Sequence, residues 1–356
     1  MDKNIYQTRR ENLRRVLLER NIEALIVSLA ANRYYLSGFE LHDPQCNESC
    51  GWLAVTASGE DHLFTDPRYT DAALRVWDAD KLHIYNADKH ALVAETLRGC
   101  GVRNVAFEPR AMHLFDYDKL ASRLKLTGVD NLVEELRIIK DEDEIRRMQA
   151  SMDLNHRLMA YIEPRLEPGR TEKEVAWDVE RFFRENGAQE LAFSTIVGVG
   201  PNAALPHCIP GDTKLRDNEL VLIDTGCRYL NYNSDQTRTF WVGDKPSDRF
   251  KRTMSLVREA QQAAIDIIRP GLLYAEAYRR ACEVFEHAGV LDQFTHGLGH
   301  GVGLETHEPP SLSRAGRGTL AENMVVTVEP GLYDPAWGGI RWEYQVLVTK
   351  DGCRVM

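Results

Sequence analysis

The segment VLIDTGCRYLNYNSDQTRTF, residues 221–240, constrains the fold most, because it sets two carboxylates into a stretch that otherwise reads as β-structure. The chain is expected to reverse near Tyr229 to Asn231, where asparagine tolerates the positive φ of a tight turn. In a hairpin symmetric about that reversal, Asp224 and Asp235 face each other with Cβ atoms ~4.5 to 5.5 Å apart, which is destabilising for like charges. Either an acid turns to solvent on an edge strand, or something positive sits between the two.

The pattern around this hairpin occurs twice. Ile145, Met148, Met152, Met159 and Ile162 trace a helical stripe, Thr171 with Glu174 forms a capping box for a second helix that stops near Gly187, and strands follow over 191–242. Residues 247–268 and 273–288 read as another helix pair, ended by Pro270-Gly271 and Gly289, before strands running to 349. Residues 134–356 are therefore expected to form an α+β domain of two similar αα-ββ halves. Residues 1–133 alternate differently: a helix face at Leu13, Val16 and Leu17, a buried strand in IEALIVS, and a hairpin GWLAVTASGEDHLFTD turning at Ser58-Gly59 mark a small α/β domain.

A chain of 356 residues with 43% apolar content has material for two such domains. Its 44 Lys and Arg against 54 Asp and Glu give a formal charge of -10, which argues against a broad footprint on nucleic acid or anionic membrane. No apolar signal segment follows the charged N-terminus, and the longest apolar run, IEALIVSLAA, is too short to span a bilayer, so a cytoplasmic location is expected. The seven scattered cysteines read as reduced thiols. This includes His42-x3-Cys46-x3-Cys50, whose spacing matches no usual structural zinc pattern.

The second half supplies further candidates. THGLGHGVGLETHEPP, residues 295–310, places His296, His300 and His307 in a glycine-rich setting where imidazoles can approach an ion closely. MVVTVEPG ends a strand at Glu329, and alternation along IRWEYQVLV puts Arg341, Glu343 and Gln345 on one face. Four carboxylates and a histidine carry about -4, a charge that two divalent cations neutralise. Oxygen-rich ligation with one nitrogen suits Mn²⁺, Co²⁺, Mg²⁺ or Zn²⁺. Two such ions ~3.5 to 4 Å apart would acidify a bridging water to hydroxide and polarise a carbonyl, so hydrolysis is the natural chemistry.

These motifs resemble the pita-bread metallopeptidases, specifically the prolidase and aminopeptidase P group that cleaves bonds preceding proline. The resemblance extends to NRYYLSGF and FTDPRYTDAA, which look like that group's creatinase/prolidase-type N-terminal domain. It implies that Asp224 chelates one metal, that Asp235 and Glu343 bridge both, and that His300 and Glu329 bind the other, Mn²⁺ or Co²⁺ being favoured. It further implies that Glu329 shuttles the proton of the attacking water, that His207 lies near the substrate, that His307 holds the peptide and its oxyanion, and that Arg341 steadies the ligating carboxylates. His296 is expected to be a structural neighbour outside the site. The implied substrate is a small peptide with proline second, cut by an Xaa-Pro aminopeptidase-like enzyme or by a dipeptidase (prolidase). A homodimer is implied too, with the N-terminal domain narrowing the way into the site. Asn231, Thr306, Tyr344 and Gln345 depart from the group's usual pattern, which bears on metal preference and substrate range.

Three other readings are weaker. A catalytically inactive peptide-binding scaffold would be expected to lose ligands, and all five stand here. A metal-free C–N hydrolase of the creatinase type would bury these acids without cations. Cysteine catalysis by Cys208 with His207 places the pair on opposite faces of a strand.

Overall fold

The structure, a computed structural model, describes residues 3–45 and 48–356. Cys46 lies outside these residues, and with it the His42-Cys46-Cys50 spacing; the other six cysteines are free thiols. The chain divides into two compact units, Met1–Arg137 and Ile138–Met356.

In the larger unit each half begins with two helices. Glu142–Ile162 and Glu172–Glu185 open on capping boxes, Asp141 with Glu144 and Thr171 with Glu174, which satisfy the first free amides of each helix. Asp248–Ile265 is capped by Ser247, whose Oγ accepts from the Phe250 amide, and Tyr274–His287 follows it. The first half carries an antiparallel sheet in which Glu219–Thr225 lies between Gln236–Val242 and Ile196–Val199. The second carries a five-stranded sheet with Val325–Val328 between Gly299–Gly301 and Tyr344–Val348.

The strand Glu219–Thr225 is buried on both faces, which explains its unbroken apolar run. Val221 and Ile223 pack with Leu158, Val175, Val179 and Phe183 of the first helix pair. Leu220 and Leu222 belong to the core of the second half, with Val257, Ala260, Ala281 and Val328. Asp224 continues the even-numbered row, so alternation turns it to the side where the second half lies.

The smaller unit is built on a six-stranded mixed sheet in the order Leu82–Ile84, His62–Thr65, Gly51–Thr56, Ala24–Val27, Asn104–Phe107, Lys125–Gly128. Its middle rests on one buried acid. Glu108, just past the strand Asn104–Phe107, accepts from the Ser28 and Leu29 amides at 2.6 and 2.7 Å and from Asn32 Nδ2 at 2.7 Å. It thereby caps the helix Ala30–Ser37, whose own N-cap, Leu29, has no side-chain acceptor.

Burial outweighs these donors and pushes the Glu108 carboxyl up to about 7. A raised folded pKa contributes stability that is fully present below the ordinary glutamate value and is lost as pH rises through about 7. Glu108→Gln is expected to abolish that pH dependence and to destabilise the helix start by on the order of 1 kcal/mol, because one acceptor becomes a donor. Hydrogen exchange of the 28–33 amides, corrected for intrinsic rates and followed across neutrality, measures both effects.

Candidate metal centre

The hairpin of residues 221–240 forms, in a register different from the symmetric one expected. Asp224 has Thr237 as its cross-strand partner, and Arg228 and Tyr229 pair with Asn233 and Tyr232. The reversal is a two-residue turn at Leu230 and Asn231, both at positive φ (52° and 71°), which moves the centre of the hairpin toward the C-terminus. Asp235 is therefore diagonal to Asp224, on the same face. The strands close tightly where the two acids meet: a Cβ on Gly226 would fall 1.8 Å from the Ser234 carbonyl oxygen.

The second half differs from expectation in one detail. IRWEYQVLV is two strands, Gly338–Arg341 and Tyr344–Val348, and Glu343 sits in the gap between them. Its amide donates to the Thr237 carbonyl at 3.2 Å and its Oε2 accepts from Thr237 Oγ1 at 2.9 Å. Gln345, standing where an acid is common in the resemblance, accepts from the Asp235 amide at 3.1 Å.

His300 is placed by its backbone. A Cβ on Gly299 would lie 1.9 Å from the Thr327 carbonyl oxygen, and the His300 amide donates to Thr327 Oγ1 at 3.0 Å. The His300 Nδ1 faces the Gly301 carbonyl at 3.0 Å, which assigns the ring proton of the neutral imidazole to Nδ1 and leaves Nε2 toward the acids. Nε2 lies 3.3 Å from Glu329 and 3.7 Å from Asp235. Arg341 reaches into the same cluster: Nη2 donates to Asp224 at 2.6 Å, Nε to Thr237 Oγ1 at 3.0 Å and Nη1 to the Tyr333 hydroxyl at 2.8 Å. Asp224, Asp235, His300, Glu329, Arg341 and Glu343 thus converge.

Asp224, Asp235, His300, Glu329 and Arg341 line a cavity of about 610 Å³, together with His207, His307, Phe193, Ile196 and Ile209. His300 and His307 meet edge to face with ring centroids 4.2 Å apart. His296 lines this cavity as well, where a position outside the site is expected, and hydrogen-bonds the Tyr333 hydroxyl at 2.8 Å. Thr237 and Tyr333 carry no signal in one sequence, because a hydroxyl in a strand looks the same whether or not it touches an acid.

Electrostatically the cluster is incomplete as protein alone. Oxygens of Asp224, Asp235 and Glu343 lie within 4.8 Å of one another. Burial, reinforced by neighbouring carboxylates, raises Asp235 and Glu343 well above the usual range. Against its burial, Glu329 is held down at about 2 by hydrogen bonding to and the charge of His300, whose own pKa rises in return. Asp224 Oδ1 and Glu343 Oε1 are buried without a hydrogen-bond partner. Charged oxygens left so are costly, and a cation placed among them removes the cost, so the donor set fits divalent metal.

A model of metallopeptidase family M24 matches residues 146–350, and one of the creatinase/prolidase N-terminal domain matches 9–139. The chain belongs to metallopeptidase family M24. As a member it is a metal-dependent peptidase with the pita-bread catalytic fold. Similar proteins include an Xaa-Pro dipeptidase of Pyrococcus furiosus, 32% identical over 97% of this chain and 96% of the relative. Among solved structures, an Xaa-Pro dipeptidase from Bacillus anthracis is 30% identical with a TM-score of 0.92, covering 98% of this chain and 97% of that one. An X-Pro aminopeptidase from Thermotoga maritima is 32% identical with a TM-score of 0.87, covering 97% and 96%. No helix among the described residues is long and apolar enough to cross a membrane.

Raised folded pKa values at Asp235, Glu343 and His300 all stabilise the metal-free protein below their ordinary values, and that contribution is lost as pH rises through the raised ones. Thermal midpoints of the metal-free enzyme are expected to fall from about pH 5.5 to about pH 8, and added Mn²⁺ to restore them most at the alkaline end. A midpoint indifferent to Mn²⁺ throughout would contradict this.

Proposed function

We propose that this M24 peptidase is an Xaa-Pro dipeptidase, hydrolysing the bond between an N-terminal residue and a following proline with a pair of divalent ions, Mn²⁺ or Co²⁺. The observation that carries the reading is the convergence of four acids and one imidazole from both halves, with two carboxylate oxygens left unpartnered. Asp224, Asp235, His300, Glu329 and Glu343 would hold these ions.

When bound, such ions supply Lewis acidity for the scissile carbonyl and make water nucleophilic at neutral pH. The protein's own groups do the rest. Glu329 is suited to take the proton of the attacking water and pass it to the leaving proline nitrogen, since one of its oxygens already faces His300 and the Thr327 hydroxyl. His307, packed against His300, would hold the substrate carbonyl as negative charge develops on it, and His207, which lines the cavity from the 205–210 loop, would contact the peptide. Arg341 keeps one Asp224 oxygen engaged and so fixes which oxygen remains for metal. The apolar part of the cavity wall, with Phe193, Ile196 and Ile209, suits a prolyl ring.

Length preference is the finer question. The sequence favours the aminopeptidase first, and the similar Xaa-Pro dipeptidases of Pyrococcus and Bacillus favour the dipeptidase, while the similar Thermotoga structure keeps the aminopeptidase as the second reading. With Mn²⁺ present, Ala-Pro is expected to be cut faster than Ala-Pro-Ala; the reverse order assigns the aminopeptidase. A homodimer is proposed on the resemblance, and light scattering decides it. Glu329→Gln is expected to lower kcat by about 10²- to 10⁴-fold with the fold retained, measured on the preferred peptide. A near-normal rate in that variant removes Glu329 from proton transfer.

A further inference from the structure

Arg238 lies on the strand Gln236–Val242 between Thr237 and Thr239, whose hydroxyls face the acid cluster through Arg341 and Glu343. Alternation sends Arg238 to the opposite side of the sheet. It is 9% exposed, and among the described residues it forms no ion pair with a carboxylate. A buried guanidinium without an acid needs other partners, and those of Arg238 are its neighbour Thr237 and three consecutive residues of the second half.

Its Nη1 donates to the Glu343 carbonyl at 2.6 Å and to the Thr237 carbonyl at 2.8 Å. Its Cζ lies 4.4 Å from the ring centre of Trp342 and 4.9 Å from that of Tyr344. Trp342, Glu343 and Tyr344 thus hold one guanidinium between two rings and a carbonyl. Glu343 stands in the gap where one strand has ended and the next has not begun; its amide is held by the Thr237 carbonyl at 3.2 Å, but among the described residues its own carbonyl has no backbone partner. Arg238 supplies the donor that this carbonyl lacks. Burial lowers the guanidinium to about 10, so it stays charged at neutral pH and its hydrogen bonds to the carbonyls are charge-assisted.

We propose that Arg238 is a positioning residue of the metal centre, a clasp that fixes the Glu343 backbone from behind the sheet so that its carboxylate is aimed before metal arrives. The clasp rests on the assignment of Glu343 as a ligand made above. It has a chemical requirement that charge alone does not meet: the side chain must reach two carbonyls while packing against two rings, which a planar guanidinium does better than an ammonium. Trp342 takes a second guanidinium, that of Arg258, at 4.5 Å from its ring centre, which further restrains the indole.

The test is titration of the metal-free full-length protein with Mn²⁺ by calorimetry. Arg238→Met is expected to weaken binding 10- to 100-fold, the range for partners that orient ligands, and Arg238→Lys several-fold. Phe240→Ala, on the same face two residues away and packed in the helix-side core, lowers stability without touching Glu343 and is expected to leave the isotherm unchanged. Should Arg238→Met not fold, Arg238→Lys decides. Isotherms of the Arg238 variants that coincide with the unmodified protein's overturn the clasp, as does equal weakening in Phe240→Ala. Absence of Mn²⁺ binding by the unmodified protein instead overturns the metal assignment itself.

Discussion

Mutual repulsion among buried carboxylates is the constraint around which the larger unit is organised. Asp224, Asp235 and Glu343 are buried with oxygens within 4.8 Å of one another, and left to themselves they would separate or protonate. Arg341 answers for one oxygen of Asp224, and His300 for Glu329. Thr237 answers for one oxygen of Glu343, while Asp224 Oδ1 and Glu343 Oε1 have no hydrogen-bond partner among the described residues. A fold that keeps such groups together must fix their backbones firmly, and most of the local structure serves that end.

Fixation comes from both halves at once. Thr237 is the pivot: its hydroxyl donates to Glu343 and accepts from Arg341, and its carbonyl receives the Glu343 amide. One strand of the first half therefore dictates where an acid of the second half points. Gln345 returns the favour by accepting from the Asp235 amide. Glycines at 226 and 299 remove the Cβ atoms that would keep backbone from backbone where the acids and His300 come in. Behind the sheet, the apolar faces of four helices supply the burial that offsets these polar arrangements.

The sequence showed the helices, the repeated pattern and the acids themselves, because periodicity and capping are local signals. The Thr171 capping box lies where its spacing places it. The register of the 221–240 hairpin was less accessible: Asn231 announces a turn, but Leu230 at positive φ does not, and that residue decides the pairing. Alternation likewise joined residues 340–348 into one strand, since nothing in Trp342-Glu343 distinguishes a gap from a continuation. His296 and Tyr333 entered the site through a contact between residues 37 positions apart. The role of Glu108 as a cap for a helix 79 residues earlier in sequence has the same origin, since such tertiary contacts exist only once the chain has folded.

The double burial of Glu219–Thr225 has one further consequence. Its odd-numbered side chains complete the core of one half and its even-numbered ones the core of the other, so neither half owns the strand. Separated at the junction, each piece would present a bare apolar sheet face to water and would aggregate rather than persist as a domain. The two halves, however alike in pattern, are obliged to melt and refold as a single cooperative body, and catalytic competence is gained or forfeited with it.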